Sequence, residues 1–210
     1  MDVRKTAETD GAVKSVLDDL TLAAHRAYAR GIQTGSGGNL SARAPDGQSM
    51  VVKASGGSFA DCTAEGEGYI STDFDGAPLP GATGKPTREA LLHGAIYKVM
   101  PEVGGVMHCH SPWAIAFSYR LKDLPMVTFH SELKFGCEIP VVNIQAPVVP
   151  QEELFKIEEL FSKNPSLPAF ILVGHGIVAV GKNAVDAEHA AEMVEETAQI
   201  AILKHLYLKQ

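Results

Sequence analysis

The stretch Val106–Pro112, written VMHCHSP, decides how the chain is interpreted, because it places two histidines two positions apart. In a β-strand over residues 103–110, side chains alternate between the two faces, so His108 and His110 share one face. Cys109 then points to the other face, where a thiol packs as an apolar group. Imidazoles at alternate positions, roughly 6–7 Å apart at Cβ, can converge on one metal ion. Two buried structural histidines fit the same pattern equally well.

A metal centre needs a third ligand, since catalytic zinc usually has three protein ligands and one open position. His175 stands out because it lies between two glycines, which let the backbone turn sharply and present a side chain. Spacing alone favours a simple turn residue there. His130 follows a predicted strand and is ambiguous. The other histidines lie inside predicted helices, where surface or packing roles are expected: His25, His93, His189 and His205.

Composition limits the classes of function. The chain has 210 residues, is 45% hydrophobic and carries a formal net charge of -7, which predicts one globular domain over residues 1–210. That charge disfavours nucleic acid and anionic membranes as partners. Three widely spread cysteines argue against a disulfide framework, and no apolar run resembles a signal peptide or membrane helix, so a reducing, cytoplasmic setting is expected. An anionic substrate would need a local cationic feature, such as a metal ion.

Hydrophobic periodicity predicts a mixture of helices and strands in irregular order. The predicted helices cover residues 12–30, 87–100, 113–120, a segment opened by Pro150, and 183–206. The predicted strands cover residues 50–53, 69–71, 103–110, 127–129, 139–144, 170–173 and 177–180. Glycine and proline content predicts loops over residues 35–41 and 73–84. The mixture indicates an α/β or α+β domain with a sheet covered on both faces.

Four blocks, taken together and in order, resemble the class II aldolase/adducin family. They are GSGGNLSAR (residues 35–43), ASG (54–56), PTREALLHGAIYKVMPEVGGVMHCH (86–110) and LVGHG (172–176). Each block alone is weak, but the ordered set spans nearly the whole chain. The resemblance implies a single-domain, three-layer α/β/α fold with a central, largely antiparallel sheet.

The resemblance also implies a set of site residues. His108, His110 and His175 become ligands of Zn²⁺, with Mn²⁺, Co²⁺ or another divalent metal as alternatives. Glu89 becomes the acid/base beside the metal, although a first-turn carboxylate favoured by the helix dipole explains it equally well. The substrate, with any phosphate it carries, is held by donors of the glycine-rich turns and their neighbours, where simple chain reversal is the alternative: Ser36, Gly38, Asn39, Ser55, Gly56 and Thr87.

Two departures from the family pattern leave the substrate and the proton donor open. Arg88 stands where the family's aldolases have a small hydroxyl residue; it could bind an anion, such as a carboxylate, or face solvent. Phe129 lies near the position of the family's catalytic tyrosine and cannot donate a proton. His130 could act as that donor, or bind metal or substrate. Tyr207 could reach a neighbouring subunit's site or be a packed aromatic residue.

The leading hypothesis is therefore a metal-dependent lyase acting on a small keto-sugar, phosphorylated or not, or on a keto-acid. The resemblance implies aldol cleavage through an enediolate that the metal stabilises. Alternatives within the family are a 4-epimerase, a dehydratase, a decarboxylase or a non-catalytic adducin-like module, although three intact histidines argue against the last. A zinc hydrolase is a further class, disfavoured by the absence of an HExxH motif. The resemblance also implies a homotetramer with sites at subunit contacts.

Overall fold

The computed structural model describes residues 3–209, which form helices and strands in mixed order. The helices are α1 (Val3–Arg30), α2 (Ala90–Val99), α3 (Pro112–Ser118), α4 (Phe129–Phe135), α5 (Leu154–Lys163) and α6 (Ala184–Tyr207). The strands are β1 (Asn39–Arg43), β2 (Ser49–Lys53), β3 (Tyr69–Asp73), β4 (Gly105–Cys109), β5 (Val141–Val142), β6 (Ala169–Leu172) and β7 (Gly176–Gly181). Short 3₁₀ turns cover Phe59–Asp61 and Gln151–Glu153.

The seven strands form one sheet in the order β3-β2-β1-β4-β7-β6-β5. Every neighbouring pair is antiparallel except β5 with β6. Helices α1, α3 and α6 cover one face, and α2 with α5 cover the other, each over its own apolar core. The predicted three-layer fold with a largely antiparallel sheet is confirmed. Among the described residues, none of the helices is both long and apolar enough to cross a bilayer.

Strand β4 lies in the middle of the sheet and alternates as its sequence predicts. Cys109 is fully buried in the core beneath α6, whereas Val106 belongs to the core on the opposite face. The predicted apolar packing of the cysteine is therefore confirmed. The register places His108 opposite Asn39 of β1 and Val178 of β7, so the histidine lies between two central neighbours. His110 follows one residue after the strand ends.

Three predicted elements differ from the structure. The segment 35–41 was expected to be a turn, but Asn39 begins β1, because pairing on both sides stabilises a strand whose polar residues have weak strand propensity. The strand over 127–129 is wrong: the Thr128 hydroxyl accepts the Ser131 N–H at 3.0 Å and caps α4. Within 139–144, only Val141–Val142 pairs as a strand.

Helix boundaries depend on local capping. Asn183 Oδ1 accepts the Asp186 N–H at 2.8 Å, so the predicted N-cap of α6 is confirmed. Helix α2 begins at Ala90, three residues later than expected, with Glu89 at its N-cap position. The segment before Ala90 therefore stays non-helical.

Candidate active site

Three histidines from two parts of the chain meet at the end of the central strands. His108 lies on β4, His110 follows it, and His175 lies in the turn between β6 and β7. One nitrogen of each ring lies within 4.8 Å of the other two, and the Nε2 atoms of His108 and His175 are 3.2 Å apart. Two nitrogens bound to a tetrahedral zinc ion are about 3.3 Å apart. The spacing therefore fits a divalent cation.

The protonation state of the three imidazole rings also suits the binding of a cation. His108 Nδ1 donates to the Ile177 carbonyl oxygen at 2.9 Å, which leaves the Nε2 lone pair facing the other two rings. Burial and the neighbouring histidines hold the pKa of His108 well below its ordinary value. Burial, followed by the effect of His110, lowers the pKa of His175 to about 4, and burial lowers the pKa of His110. The three imidazoles are therefore neutral near pH 7, the form that binds metal.

A hydrogen bond from the segment before β1 fixes the position of the His110 backbone. Buried Gln33 accepts the His110 backbone N–H through Oε1 at 2.8 Å. Gly38 has a φ of +62°, and a Cβ there would lie 2.3 Å from Gln33 Oε1 and 2.8 Å from the His108 carbonyl oxygen. Gln33 was not predicted, because it sits in a short connection with no recognisable pattern. A tight backbone approach at Gly38 thus holds His108 and His110 in place.

We expect Gly38→Ala to lower stability by about 2–4 kcal/mol, since it combines left-handed backbone strain with a steric conflict. Gly35→Ala is the matched control: its φ is +61° in the same loop, but a Cβ there meets nothing within 4 Å. That control should show the strain alone, about 1–2 kcal/mol. Urea unfolding measures both. Equal losses in the two variants would show that the close approach contributes nothing.

Glu89 lies beside the three histidines with one of its oxygens unpartnered. Its side chain is buried, and Oε1 accepts the Val149 backbone N–H at 3.2 Å. Buried Oε2 has no hydrogen-bond partner. Burial raises the pKa of Glu89 to about 7, although the Val149 N–H and the Arg88 charge act in the opposite direction. A buried carboxylate oxygen without a partner is unfavourable, and a cation or a substrate proton in the cavity would supply one.

A cavity of about 270 Å³ joins this carboxylate and the histidines to all seven residues predicted to bind substrate. These are Ser36, Gly38, Asn39, Ser55, Gly56, Thr87 and Arg88. Four blocks that are far apart in sequence thus meet in one place. The roles of the individual residues stay predictions, but their convergence is a property of the fold.

Lys53 is a cavity residue that sequence reasoning missed. It ends β2, is 2% exposed, and donates from Nζ to the Ala54 carbonyl oxygen at 3.2 Å. Burial lowers its pKa. The sequence pattern predicts only that Lys53 is the polar end of a strand, and no neighbouring residue indicates that it is buried. With Arg88 it gives the cavity a cationic character in an otherwise acidic protein.

A second, outer cavity of about 750 Å³ opens from the first and shares Arg88, His110 and His175 with it. Tyr119 forms part of its wall. The hydroxyl of Tyr119 lies so near Gly174 that a Cβ at that glycine would be 2.9 Å from it. Tyr119 is 68% exposed and was not singled out by the sequence. A ligand longer than the inner cavity would have room to extend past His110 and His175 into the outer one.

Two predicted residues line neither cavity. His130 is exposed on α4, and Tyr207 is 77% exposed near the end of α6. Phe129, at the position where the family's tyrosine was expected, is 91% exposed. The structure does not bring these side chains to the three-histidine cavity. The catalytic roles of His130 and Tyr207 stay predictions, and that of Tyr207 requires a neighbouring subunit.

The fold and this three-histidine cavity define a class of protein, and comparison with known sequences identifies it. Residues 18–202 match the family model described as Class II Aldolase and Adducin N-terminal domain. The chain belongs to the class II aldolase/adducin family.

The relatives are named for different reactions. The chain is 31% identical to methylthioribulose-1-phosphate dehydratase of Methylococcus capsulatus, over 79% of this chain and 82% of the relative. It is 32% identical to 3-oxo-tetronate 4-phosphate decarboxylase of Haemophilus influenzae, over 82% and 80%. Among solved structures, Escherichia coli YgbL, described as a candidate aldolase/epimerase/decarboxylase, superposes with a TM-score of 0.79 at 27% identity, over 91% and 90%. Family membership therefore does not select one reaction.

Proposed function

We propose that the protein is a divalent-metal-dependent lyase that breaks a bond next to the carbonyl of a small keto-sugar or keto-acid bearing an oxyanion. The observation that carries the proposal is the meeting of three neutral imidazoles with the unpartnered Glu89 carboxylate in one cavity. Names of the relatives support a phosphorylated substrate, since the dehydratase and the decarboxylase are both named for sugar-phosphate or keto-acid-phosphate substrates.

The proposed roles follow from the chemistry of each group. His108, His110 and His175 would hold a divalent cation, which would supply a Lewis acid to stabilise negative charge on the substrate carbonyl. Glu89 takes and returns the proton, because it lines the cavity with one carboxylate oxygen unpartnered and its pKa of about 7 suits a base near neutral pH. Hydroxyl and backbone donors of the glycine-rich turns hold the substrate's oxyanion.

Aldol cleavage is our first candidate reaction, and decarboxylation of a keto-acid is the second. Arg88 favours the second, because it lines both cavities and a guanidinium can hold a carboxylate through two parallel hydrogen bonds. Decarboxylation also requires no base to take a hydroxyl proton from the departing group, because a carboxylate leaves directly as carbon dioxide. The two reactions are separated by product: an aldehyde appears in one and carbon dioxide in the other.

Lys53 raises a competing mechanism that must be tested, since a buried lysine with a lowered pKa can form a Schiff base with a ketone. The metal mechanism requires no covalent bond to the protein. Reduction with borohydride in the presence of a turned-over keto-substrate should therefore leave the protein mass unchanged. A trapped adduct lost in Lys53→Met would replace the metal mechanism with a Schiff-base one.

The central experiment combines metal analysis of the purified protein with a screen of keto-sugar phosphates and keto-acids, with and without chelator. Assays for aldehyde, carbon dioxide, water loss and epimer formation cover the family's reactions. We expect close to one divalent ion per chain and turnover that disappears on chelation and returns with Zn²⁺, Mn²⁺ or Co²⁺. Turnover that is unchanged in fully metal-free protein would overturn the proposal.

We expect Lys53→Met to reduce turnover by roughly ten- to a hundredfold while leaving the metal bound, since a cation aimed at an anionic transition state is lost. Stability at pH 7 should stay the same or rise, because the replacement removes a buried group whose charged form is disfavoured by burial. Steady-state kinetics and urea unfolding measure the two effects. Lys85→Met, at an exposed lysine outside the cavity, serves as the control. Unchanged turnover in Lys53→Met would remove this lysine from the mechanism.

A further inference from the structure

A buried chain of hydrogen bonds runs from the cavity wall into the protein and contains groups that the proposed reaction does not use. His93 Nε2 lies 2.5 Å from Asn39 Oδ1, and His93 Nδ1 lies 2.6 Å from the Ser41 hydroxyl. That hydroxyl lies 2.9 Å from the Tyr97 hydroxyl. All four side chains are at most 4% exposed. Only Asn39, at one end of the chain, lines the cavity.

The hydrogens in this chain can be assigned from its two ends. Burial lowers the pKa of His93 to about 3, so the ring is neutral and has one N–H. Asn39 Oδ1 can only accept, so His93 Nε2 carries the hydrogen, and bare Nδ1 must accept from Ser41. The Ser41 oxygen is then free to accept from the Tyr97 hydroxyl.

The other end of the chain gives the same direction. Among the described residues, the Ser41 hydroxyl is the side-chain partner of the Tyr97 hydroxyl, so the Tyr97 hydrogen points at Ser41. If every bond were reversed, the Tyr97 hydrogen would face no acceptor in this chain, which is unfavourable at a fully buried hydroxyl. Arg43 holds this end in place: its guanidinium lies 4.8 Å from the Tyr97 ring centre and donates to the Tyr97 carbonyl oxygen.

The geometry points to His93 as a positioning residue that locks the Asn39 amide with its NH₂ group toward the cavity, which makes this wall a donor surface for an oxyanion of the substrate. Among the described residues, Asn39 Nδ2 makes no hydrogen bond within the protein, so both its hydrogens are available to a ligand. Asn39 pairs with His108 across β1 and β4, which places the amide next to a metal ligand. An asparagine free to flip would present its carbonyl oxygen equally well and would repel an anion. This inference rests on the proposed function only in assigning the cavity to substrate.

The assignment can be tested without turnover. ¹⁵N NMR of the metal-loaded protein should show His93 as the Nε2–H tautomer, with Nδ1 unprotonated. The Nδ1–H tautomer would overturn the assignment, since Asn39 would then have to donate to the ring and turn its carbonyl oxygen outward.

Binding of inorganic phosphate to the metal-loaded protein, measured by calorimetry, tests the consequence. Loss of a hydrogen bond to a charged group corresponds to roughly tenfold or more in affinity, so His93→Leu should weaken phosphate by about that factor. Leu92→Ala is the control, because Leu92 is equally buried on the same helix but takes no part in the chain of hydrogen bonds. It should lose stability and keep phosphate affinity within about twofold.

Equal weakening in the two variants, or no weakening of either phosphate or acetate in His93→Leu, would refute the positioning role. Acetate is measured alongside phosphate to tell which oxyanion the donor wall prefers. If the wall is a carboxylate site, His93→Leu will weaken acetate binding and leave phosphate affinity unchanged. That last result would overturn the phosphate assignment. Failure of the metal-dependent reaction would leave the tautomer and binding results standing, so the two proposals can fail separately.

Discussion

Replacing His175 with alanine is expected to remove the bound divalent metal and to lower turnover by at least about a thousandfold. His175 Nε2 lies 3.2 Å from His108 Nε2, so its loss leaves two imidazoles, one buried and one exposed, to hold an ion. Two ligands do not form a stable zinc site. Metal content should fall from about one ion per chain to a small fraction, measured by inductively coupled plasma mass spectrometry after dialysis.

His189→Ala is the matched control, because this histidine is half exposed on α6 and far from the cavity lining. It should keep the metal and its turnover. A folded His175→Ala protein that retains one ion per chain and full activity would show that the three rings meet for another reason. Circular dichroism separates that result from simple loss of structure.

The sequence predicted well whatever depends on local periodicity. The period of two in β4 placed Cys109 in one core and His108 on the opposite face, and both placements are confirmed. Asn183 and the helical repeat after it predicted α6 correctly. These features follow from neighbouring residues, whose preferences are visible without knowledge of the rest of the fold.

The features that sequence could not supply depend on strand order and burial. β7 pairs with β4, and this pairing brings the turn carrying His175 beside His108. Spacing alone predicted that His175 is a turn residue, and only the family resemblance predicted that it is a metal ligand. Lys53 and His93 had ordinary interpretations in a strand and a helix, yet one lines the cavity and the other is fully buried behind it. Burial of a polar side chain comes from packing across the sheet, which no local pattern specifies.

Glu89→Gln should keep the metal and lose turnover by about a hundred- to ten-thousandfold, the usual contribution of general acid–base catalysis. Glutamine has the same shape, and its oxygen can still accept the Val149 N–H, so the variant changes only the ability to take a proton. Wild-type turnover should rise with pH as Glu89 loses its proton, at or below pH 7, because a bound cation favours the charged form. Full activity in Glu89→Gln would eliminate the proposed role.

The same variant should make the metal-free protein more stable above neutral pH. Because burial raises the pKa of Glu89 from 4.5 to about 7, the folded state binds this proton more tightly than the unfolded chain. Stability from this group is present below pH 4.5 and is lost as pH rises through about 7, a total of about 3 kcal/mol. Glutamine does not titrate, so the free energy of unfolding of Glu89→Gln should match that of the wild type near pH 4.5 and exceed it at pH 8. Urea unfolding of both proteins, with metal removed, measures the difference, and the remaining titratable groups cancel because they are common to both. If the difference in unfolding free energy between the two proteins is the same at both pH values, Glu89 ionises as freely in the folded protein as in water. The carboxylate would then lack the unpartnered, buried state that makes it a base.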